Sequence, residues 1–234
     1  MAQPPEPEPQ QRPQLHLLAY GDSLTAGYHD SGCAFAPYSA SLATALGCTV
    51  DVCGASGVQV YKLANSQIES ESCIDVAGQE YSGLGYLLKQ RAAATDGLPQ
   101  YAAALIMGGT NDLAAQWSAE EILQNLRTLH ECCWSHGLRT VALSIPPNMA
   151  TASTAASHAE YIHAFSELNR LIEEMAGSDE RCVFVNSGLL VPWGAEGCWE
   201  PDGLHFSPAG SERLGRGVGE LPEVRDFILA DQQA

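Results

Sequence analysis

Lysine is scarce in this chain, and its scarcity excludes a class of partner. The 234 residues include 11 basic and 28 acidic side chains, for a net charge of −17, and only Lys62 and Lys89 are lysines. Nucleic acids bind proteins through clusters of Lys and Arg that neutralise phosphates, and anionic membrane surfaces attract the same clusters. We therefore expect neither a nucleic-acid partner nor an anionic membrane surface as a binding site.

Long apolar runs and export features are also missing. No stretch approaches the roughly 20 apolar residues that span a bilayer, so stable membrane insertion is not expected. Met1–Gln14 is rich in Pro, Glu and Gln, unlike a secretory signal. The eight cysteines form no Cys-x-x-Cys pair, and the chain has no Asn-x-Ser/Thr sequon. These features predict a cytoplasmic protein with mostly reduced, buried thiols and no structural zinc.

Composition separates a short tail from one folded unit. Residues 1–13 are too polar and Pro-rich to form a core, so we expect them to be disordered. Residues 14–234 are enough for a single domain with a full hydrophobic core, and 45% of the chain is apolar. The sequence does not indicate an oligomeric state.

Short apolar stretches alternate with helical patterns along this domain. The predicted strands are Leu15–Tyr20, Thr49–Cys53, Ala102–Met107, Thr140–Ile145 and Cys182–Asn186. The predicted helices are Pro37–Leu46, Leu84–Ala94, Ala119–Ser135 with a capping box at Ser118 and Glu121, His158–Met175, and a last helix capped by Ser207-Pro208. This alternation predicts a parallel sheet with helices on both faces. The stretch Val58–Ser82 has no clear assignment and could form a wall or lid over a site.

Four short motifs follow predicted strands or precede the last helix. They are Gly21-Asp22-Ser23-Leu24, Ser56-Gly57, Gly109-Thr110-Asn111-Asp112 and Asp202-Gly203-Leu204-His205. Ligands of open α/β sheets bind beyond the carboxyl ends of the strands, where the first three motifs fall. The set therefore predicts an active site at this edge.

Ser23 is the candidate nucleophile, and it needs a general base. Gly21 would allow a tight turn out of the strand. Asp202 lies three residues before His205, so its carboxylate can fix the imidazole tautomer and leave Nε2 free to accept the serine proton. Taken alone, each motif could instead be a polar turn or a cap beside a surface residue.

Three hydrogen-bond donors are available for an oxyanion hole. They are the Ser23 and Gly57 amides and the side-chain amide of Asn111. Taken alone, both glycine loops could be ordinary turns. Ser56 is not in a Gly-x-Ser-x-Gly elbow, and the chain has no phosphate-binding or dinucleotide-binding glycine motif.

The four motifs in this order resemble those of the SGNH, or GDSL-type, hydrolases. The extended first block, Gly21 to Tyr28, is similar to that of the lysophospholipase/thioesterase/arylesterase-like branch. The resemblance implies a three-layer α/β/α sandwich with a five-stranded, flavodoxin-like parallel sheet. It also implies Ser23 as nucleophile, Asp202 and His205 as its partners, and Gly57 and Asn111 as oxyanion donors. The second motif lacks the Asn that often precedes this glycine, which leaves Gly54 as an alternative donor.

The expected function is that of a serine esterase. It would hydrolyse small carboxylic esters, with short-to-medium acyl or aryl groups, through an acyl-enzyme intermediate and without a metal or organic cofactor. An acyltransferase on the same site and a catalytically silent binding protein remain as alternatives. The candidates for an apolar substrate wall are Tyr28, Leu113, Pro146–Met149, Trp193 and Trp199.

Overall fold

The computed structural model describes residues 15–95 and 99–230. The predicted tail, residues 1–13, lies outside the described residues. None of the helices within these two ranges is long and apolar enough to cross a membrane.

Strands and helices alternate along the described chain. The strands are β1 His16–Asp22, β2 Tyr28–His29, β3 Ala34–Phe35, β4 Thr49–Ala55, β5 Cys73–Ile74, β6 Glu80–Tyr81, β7 Ala103–Met107, β8 Arg139–Leu143 and β9 Cys182–Val185. The α-helices are α1 Ser23–Ala26, α2 Ser39–Leu46, α3 Val60–Ala64, α4 Leu84–Ala93, α5 Thr110–Ala114, α6 Ala119–Ser135, α7 Ala159–Gly177, α8 Ser187–Leu190, α9 Pro208–Glu220 and α10 Pro222–Leu229.

Five strands form one parallel sheet in the order β4-β1-β7-β8-β9. Numbered among themselves, these strands have the order 2-1-3-4-5 of flavodoxin-like sheets. The predicted fold class is thus confirmed. The order places β1 between β4 and β7, so the residues that follow these three strands are neighbours at one edge of the sheet.

The sheet is buried on both faces. Alternate residues of each strand point to opposite sides, and each side packs against helices. On one face, Leu18 and Ile106 pack with residues of α4, α6 and α7. On the other, Leu17 and Leu105 pack with residues of α2, α9 and α10. The consecutive apolar residues of the strands are explained by this double covering, which makes the three-layer sandwich.

The predicted helix caps are present. The Ser118 hydroxyl accepts a hydrogen bond from the Glu121 amide at 3.3 Å, and the Glu121 carboxylate accepts one from the Ser118 amide at 3.1 Å. At the start of α9, the Ser207 hydroxyl accepts from the Gly210 amide at 3.2 Å. These bonds satisfy amides that have no partner within the helix.

Strands β1 and β4 each extend two residues beyond their predicted ends, through a glycine pair. Gly21 is opposite Gly54 in the register of the two strands. A Cβ at Gly21 would lie 2.0 Å from the carbonyl oxygen of Met107, and a Cβ at Gly54 would lie 2.3 Å from the amide nitrogen of Ala26. The interpretation of Gly21 as a turn residue is therefore wrong: this glycine permits close packing inside the sheet.

The unassigned stretch Val58–Ser82 contains α3 and a hairpin formed by β5 and β6. The two strands of the hairpin pair in antiparallel fashion. Its tip residues, Val76 and Ala77, border the cavity at the strand ends. The stretch therefore forms a wall, one of the two expectations for it.

All eight cysteines are free thiols. Three of them, Cys133, Cys182 and Cys198, are buried, whereas Cys33 is exposed and the other four are partly buried. The expectation that most thiols are buried is therefore wrong. The reason is that four of them pack at the edges of the two core clusters, and Cys33 lies in the connection between β2 and β3.

Candidate active site

Ser23 is the first residue of the short helix α1, directly after β1. The preceding Asp22 caps this helix, because its carboxylate accepts a hydrogen bond from the Leu24 amide at 3.0 Å. Ser23 is 8% exposed. The hydroxyl is thus fixed at the end of β1 and still reaches the cavity beside it.

Ser23, His205 and Asp202 form a continuous chain of hydrogen bonds. The Oγ of Ser23 lies 2.9 Å from Nε2 of His205. The Nδ1 of His205 lies 2.7 Å from Oδ2 of Asp202. Because the carboxylate accepts the Nδ1 hydrogen, Nε2 is left free to accept a proton from the serine.

The turn that carries Asp202 and His205 is fixed by its own backbone. The other oxygen of Asp202 accepts hydrogen bonds from the amides of Leu204 and His205, at 2.9 and 3.0 Å. Gly203 lies between them with φ +68°, a conformation that favours glycine. Its carbonyl accepts a hydrogen bond from the Met149 amide at 2.7 Å, which attaches the turn to the loop after β8.

These hydrogen bonds also set the charge of Asp202. Partial burial by itself would raise the pKa of this carboxyl, but the ring and amide of His205 and the amide of Leu204 together hold the pKa below its usual value. The carboxylate is therefore ionised at neutral pH, which favours an imidazolium beside it.

A cavity of about 190 Å³ opens beside the serine. Its lining residues come from every motif and from the hairpin: Ser23, Tyr28, Ser56, Gly57, Val76, Ala77, Asn111, Leu204 and His205. The structure therefore brings together all five residues that the sequence predicts to act, with Asp202 just behind His205.

The two predicted oxyanion donors outside α1 lie in the turn after β4, which carries Gly57, and in α5, which carries Asn111. Gly57 has φ +71° and directly follows the loop residue Ser56. The side-chain amide of Asn111 donates one hydrogen bond to the carbonyl of Val58, at 3.0 Å. An amide nitrogen carries two hydrogens, so the second one is available to a ligand.

Gly54, the alternative donor, is not among the residues that line this cavity. It lies within β4 and packs against α1, whose residue Ala26 occupies the space that a side chain would need. Gly57 is therefore the glycine of the second motif that borders Ser23 and His205.

The hairpin contributes a residue that the sequence analysis missed. Asp75 is 7% exposed, and its two carboxylate oxygens accept hydrogen bonds from the amides of Ser56 and Gln79, both at 2.8 Å. The Val76 amide donates to the Ser56 carbonyl at 3.0 Å. Nothing in the local sequence predicts the two contacts with Ser56, because the one from Asp75 spans 19 positions and the one from Val76 starts at the next residue.

Only one of the predicted wall residues lines the cavity. The ring of Tyr28 lies 4.5 Å from that of His205. Leu113 lines a separate cavity, whereas Trp193 and Trp199 pack against each other with ring centroids 5.0 Å apart. Trp193 also lies against Gly203, so the tryptophans support the Asp202–His205 turn from outside the cavity.

Two further carboxylates are buried behind the site. Burial, with a smaller contribution from nearby Asp112, raises the pKa of Asp22 to about 7 against the opposing effect of the Leu24 amide. Burial also raises the pKa of Asp112, whose carboxylate accepts hydrogen bonds from the Val60 and Tyr61 amides. Both are structural anchors, as their sequence context predicts.

In the described part of the chain, no group of three or more His, Cys, Asp or Glu residues is clustered as a metal site.

The sequence profile of the GDSL-like lipase/acylhydrolase family matches residues 19–213. Among solved structures, the chain is similar to a candidate arylesterase from Agrobacterium tumefaciens str. C58, with 21% identity, a TM-score of 0.64, and 92% of this chain and 100% of that chain covered. It is also similar to TesA, with 21% identity, a TM-score of 0.55, and coverage of 87% and 95%. A family 3 carbohydrate esterase from Clostridium thermocellum has 15% identity, a TM-score of 0.58, and coverage of 86% and 92%. These likenesses concern the fold, and no curated protein matches the chain.

Proposed function

Since the chain belongs to the GDSL-like lipase/acylhydrolase family, we propose that it is a serine esterase that hydrolyses small carboxylic esters through an acyl-enzyme intermediate. The observation that carries the proposal is the hydrogen-bond chain from Ser23 through His205 to Asp202, with distances of 2.9 and 2.7 Å. A serine hydroxyl is a weak nucleophile at neutral pH until a base accepts its proton. This arrangement supplies that base in the required tautomer.

The first half-reaction transfers the acyl group to the enzyme. Ser23 Oγ attacks the ester carbonyl while His205 Nε2 takes its proton. The imidazolium is stabilised by the Asp202 carboxylate, and it then protonates the leaving alcohol as the carbon–oxygen bond breaks. The acyl group remains bonded to Ser23.

The second half-reaction releases the acid. A water molecule takes the place of the alcohol, and His205 removes its proton as the water oxygen attacks the acyl carbonyl. The bond from the acyl carbon to Ser23 Oγ then breaks, and the imidazolium returns the proton to Oγ. The side chain of Asp202 is 46% exposed, which supports access of water to this side of the site. Such access favours hydrolysis over transfer to a second alcohol.

The negative charge of each tetrahedral intermediate would rest on three donors. They are the amides of Ser23 and Gly57 and the second amide hydrogen of Asn111. The hydrogen bond from Asn111 to Val58 supports this role, because it fixes the orientation of the side chain before substrate binds. Fixed donors of this kind stabilise a transition state without a cost of reorganisation.

The size of the cavity supports small substrates. Its volume of about 190 Å³ is below the roughly 300–1,000 Å³ of typical drug-sized sites. Its apolar wall is formed by Tyr28, Val76, Ala77 and Leu204. Esters with short-to-medium acyl chains or aryl groups fit this combination of size and chemistry.

The proposal is tested by hydrolysis of p-nitrophenyl acetate and butyrate. We expect measurable turnover by the parent protein and a loss of several orders of magnitude in kcat for Ser23→Ala. Ser135→Ala, at the exposed end of α6, is the matched control and should keep parental activity. A parent protein without turnover, or a Ser23→Ala variant with parental turnover, would refute the proposal.

A further inference from the structure

The tip of the β5–β6 hairpin is the part of the cavity wall that lies outside all four sequence motifs. Val76 lines the cavity together with Ser23 and His205, yet it is 81% exposed. Few protein atoms therefore cover its outer side. An apolar side chain that borders a nucleophile and remains open to solvent is available for contact with a substrate.

The position of Val76 is fixed by its neighbours on both sides. Asp75 accepts hydrogen bonds from the amides of Ser56 and Gln79, and the Val76 amide donates to Ser56. The two bonds with Ser56 join the hairpin tip to the loop that carries Gly57, and the bond with Gln79 closes the tip itself. The isopropyl group consequently stands at a defined place relative to the proposed oxyanion site.

Val76 covers Gly57 directly. Its Cγ2 lies 2.7 Å, and its Cβ 2.9 Å, from the point where a Cβ of Gly57 would be. Tyr28 also lines the cavity, and its ring lies 4.5 Å from that of His205. The cavity thus has an oxyanion side next to Val76 and a base side next to Tyr28.

The two sides receive different parts of an ester. The leaving alcohol must take a proton from His205, so it lies on the base side, next to Tyr28. Val76 is an apolar residue on the oxyanion side of the cavity, so an acyl chain that extends away from the leaving oxygen would run along it.

We propose that Val76 sets the length of acyl chain that the site accepts. This inference rests on the proposed esterase function and adds the residue that determines its substrate range. A short acyl chain fits beneath the isopropyl group, whereas a longer chain meets it. Hydrophobic contacts of this kind discriminate by about 10-fold or more for each methyl or methylene group.

The inference is tested with the ratio of kcat/KM for p-nitrophenyl octanoate to that for p-nitrophenyl acetate. For Val76→Ala we expect this ratio to rise by about 10-fold, since two methyl groups are removed from the wall. For Val76→Phe we expect it to fall. Ile74→Ala is the matched control, because Ile74 is an apolar residue of the same hairpin that is 66% exposed and does not line the cavity. Its ratio should equal that of the parent.

A second series separates the acyl side from the alcohol side. The ratio of kcat/KM for benzyl acetate to that for ethyl acetate should be unchanged in both Val76 variants. An unchanged octanoate-to-acetate ratio, the same change in Ile74→Ala, or a change confined to the alcohol series would overturn the inference and leave the esterase proposal intact. A parent protein that hydrolyses none of these esters would refute both.

Discussion

A single carboxylate, that of Asp202, fixes both the backbone and the ring of His205. One of its oxygens accepts the amides of Leu204 and His205, and the other accepts the ring Nδ1. The three-residue spacing is what allows one side chain to do both. Because these bonds hold the pKa of Asp202 below its usual value, the negative charge opposite the imidazole persists into mildly acidic solution.

Gly57 and Gly54 are close in sequence but differ in what a side chain would disturb. At Gly57, an added Cβ would meet the Val76 side chain, 2.7 Å from its Cγ2 and 2.9 Å from its Cβ, and φ is +71°. At Gly54, it would meet the backbone of Ala26 at 2.3 Å. A clash with backbone cannot relax by rotation of a side chain, so Gly54→Ala would disturb the fold.

We therefore predict opposite outcomes for two alanine variants. Gly57→Ala should lower kcat/KM at least about 10-fold, because it displaces Val76 and strains the proposed donor, at a stability cost of about 1–2 kcal/mol. Gly54→Ala should lower the melting temperature more, with near-parental kcat for the folded fraction. Gly47→Ala is the control for positive φ alone, since Gly47 has φ +66° and no neighbour within 4 Å. A stable but inactive Gly54→Ala would instead assign the donor to Gly54.

The buried carboxyl of Asp22 predicts a pH dependence of stability. Its pKa is raised from 3.8 to about 7, chiefly by burial. Between about pH 4 and pH 7 the folded protein therefore holds a proton that the unfolded chain has released. Stability contributed by this group is present at low pH and is lost as pH rises through this window.

The Asp22→Asn variant isolates this effect. The amide oxygen can still accept the hydrogen bond from Leu24, but the side chain no longer titrates. We expect the free energy of unfolding of the variant, relative to the parent, to increase by a few kcal/mol between pH 5 and pH 8. Urea unfolding at several pH values measures this difference, and parallel curves for the two proteins would contradict it.

At the scale of elements, the sequence predicted the long helices and the five main strands because their signals are local. Helix α6 has the predicted bounds, Ala119–Ser135, because a capping box starts it and an apolar face continues through it. The ends of β1 and β4 were missed because Gly21 and Gly54 were interpreted as turn residues. Their place in the sheet depends on the neighbouring strand and helix, which a local pattern does not contain.

The hairpin β5–β6 could not be predicted from its own sequence. Its strands are only two residues long, so no alternation of apolar and polar residues develops. It is held by tertiary contacts with Ser56, one from the Asp75 carboxylate and one from the Val76 amide, and by the bond from the Gln79 amide to Asp75 within the hairpin. The residues that were missed at the site, Asp75, Val76 and Ala77, all belong to this element.

Removing one of these contacts should loosen the hairpin tip. Asp75→Asn keeps only one acceptor oxygen, so the amide of either Ser56 or Gln79 loses its partner, at a cost of about 1–3 kcal/mol. We expect faster hydrogen exchange at these amides and a lower kcat, since Gly57 follows Ser56. Asp226→Asn, on the exposed face of α10, should change neither. Parental exchange rates in Asp75→Asn would show that the hairpin is held by other contacts.

At the scale of the molecule, the fold joins residues that are distant in sequence. Ser23 and His205 are 182 positions apart, yet their side chains are in hydrogen-bond contact. The parallel topology made the proximity of Ser23, Gly57 and Asn111 predictable, because each of them follows a strand whose neighbours could be inferred. The orientation of the surrounding aromatic residues was not predictable, since it depends on the conformation of the long loops after β8 and β9.

The central claim is that Ser23 is the nucleophile activated by His205, and covalent labelling tests it most directly. The parent protein is treated with an organophosphonate and digested, and the modified peptide is identified by mass spectrometry. We predict one adduct, on Ser23, with no adduct in Ser23→Ala and much slower labelling in His205→Ala. An adduct on Ser56, or undiminished labelling of Ser23→Ala, would contradict the assignment of the nucleophile.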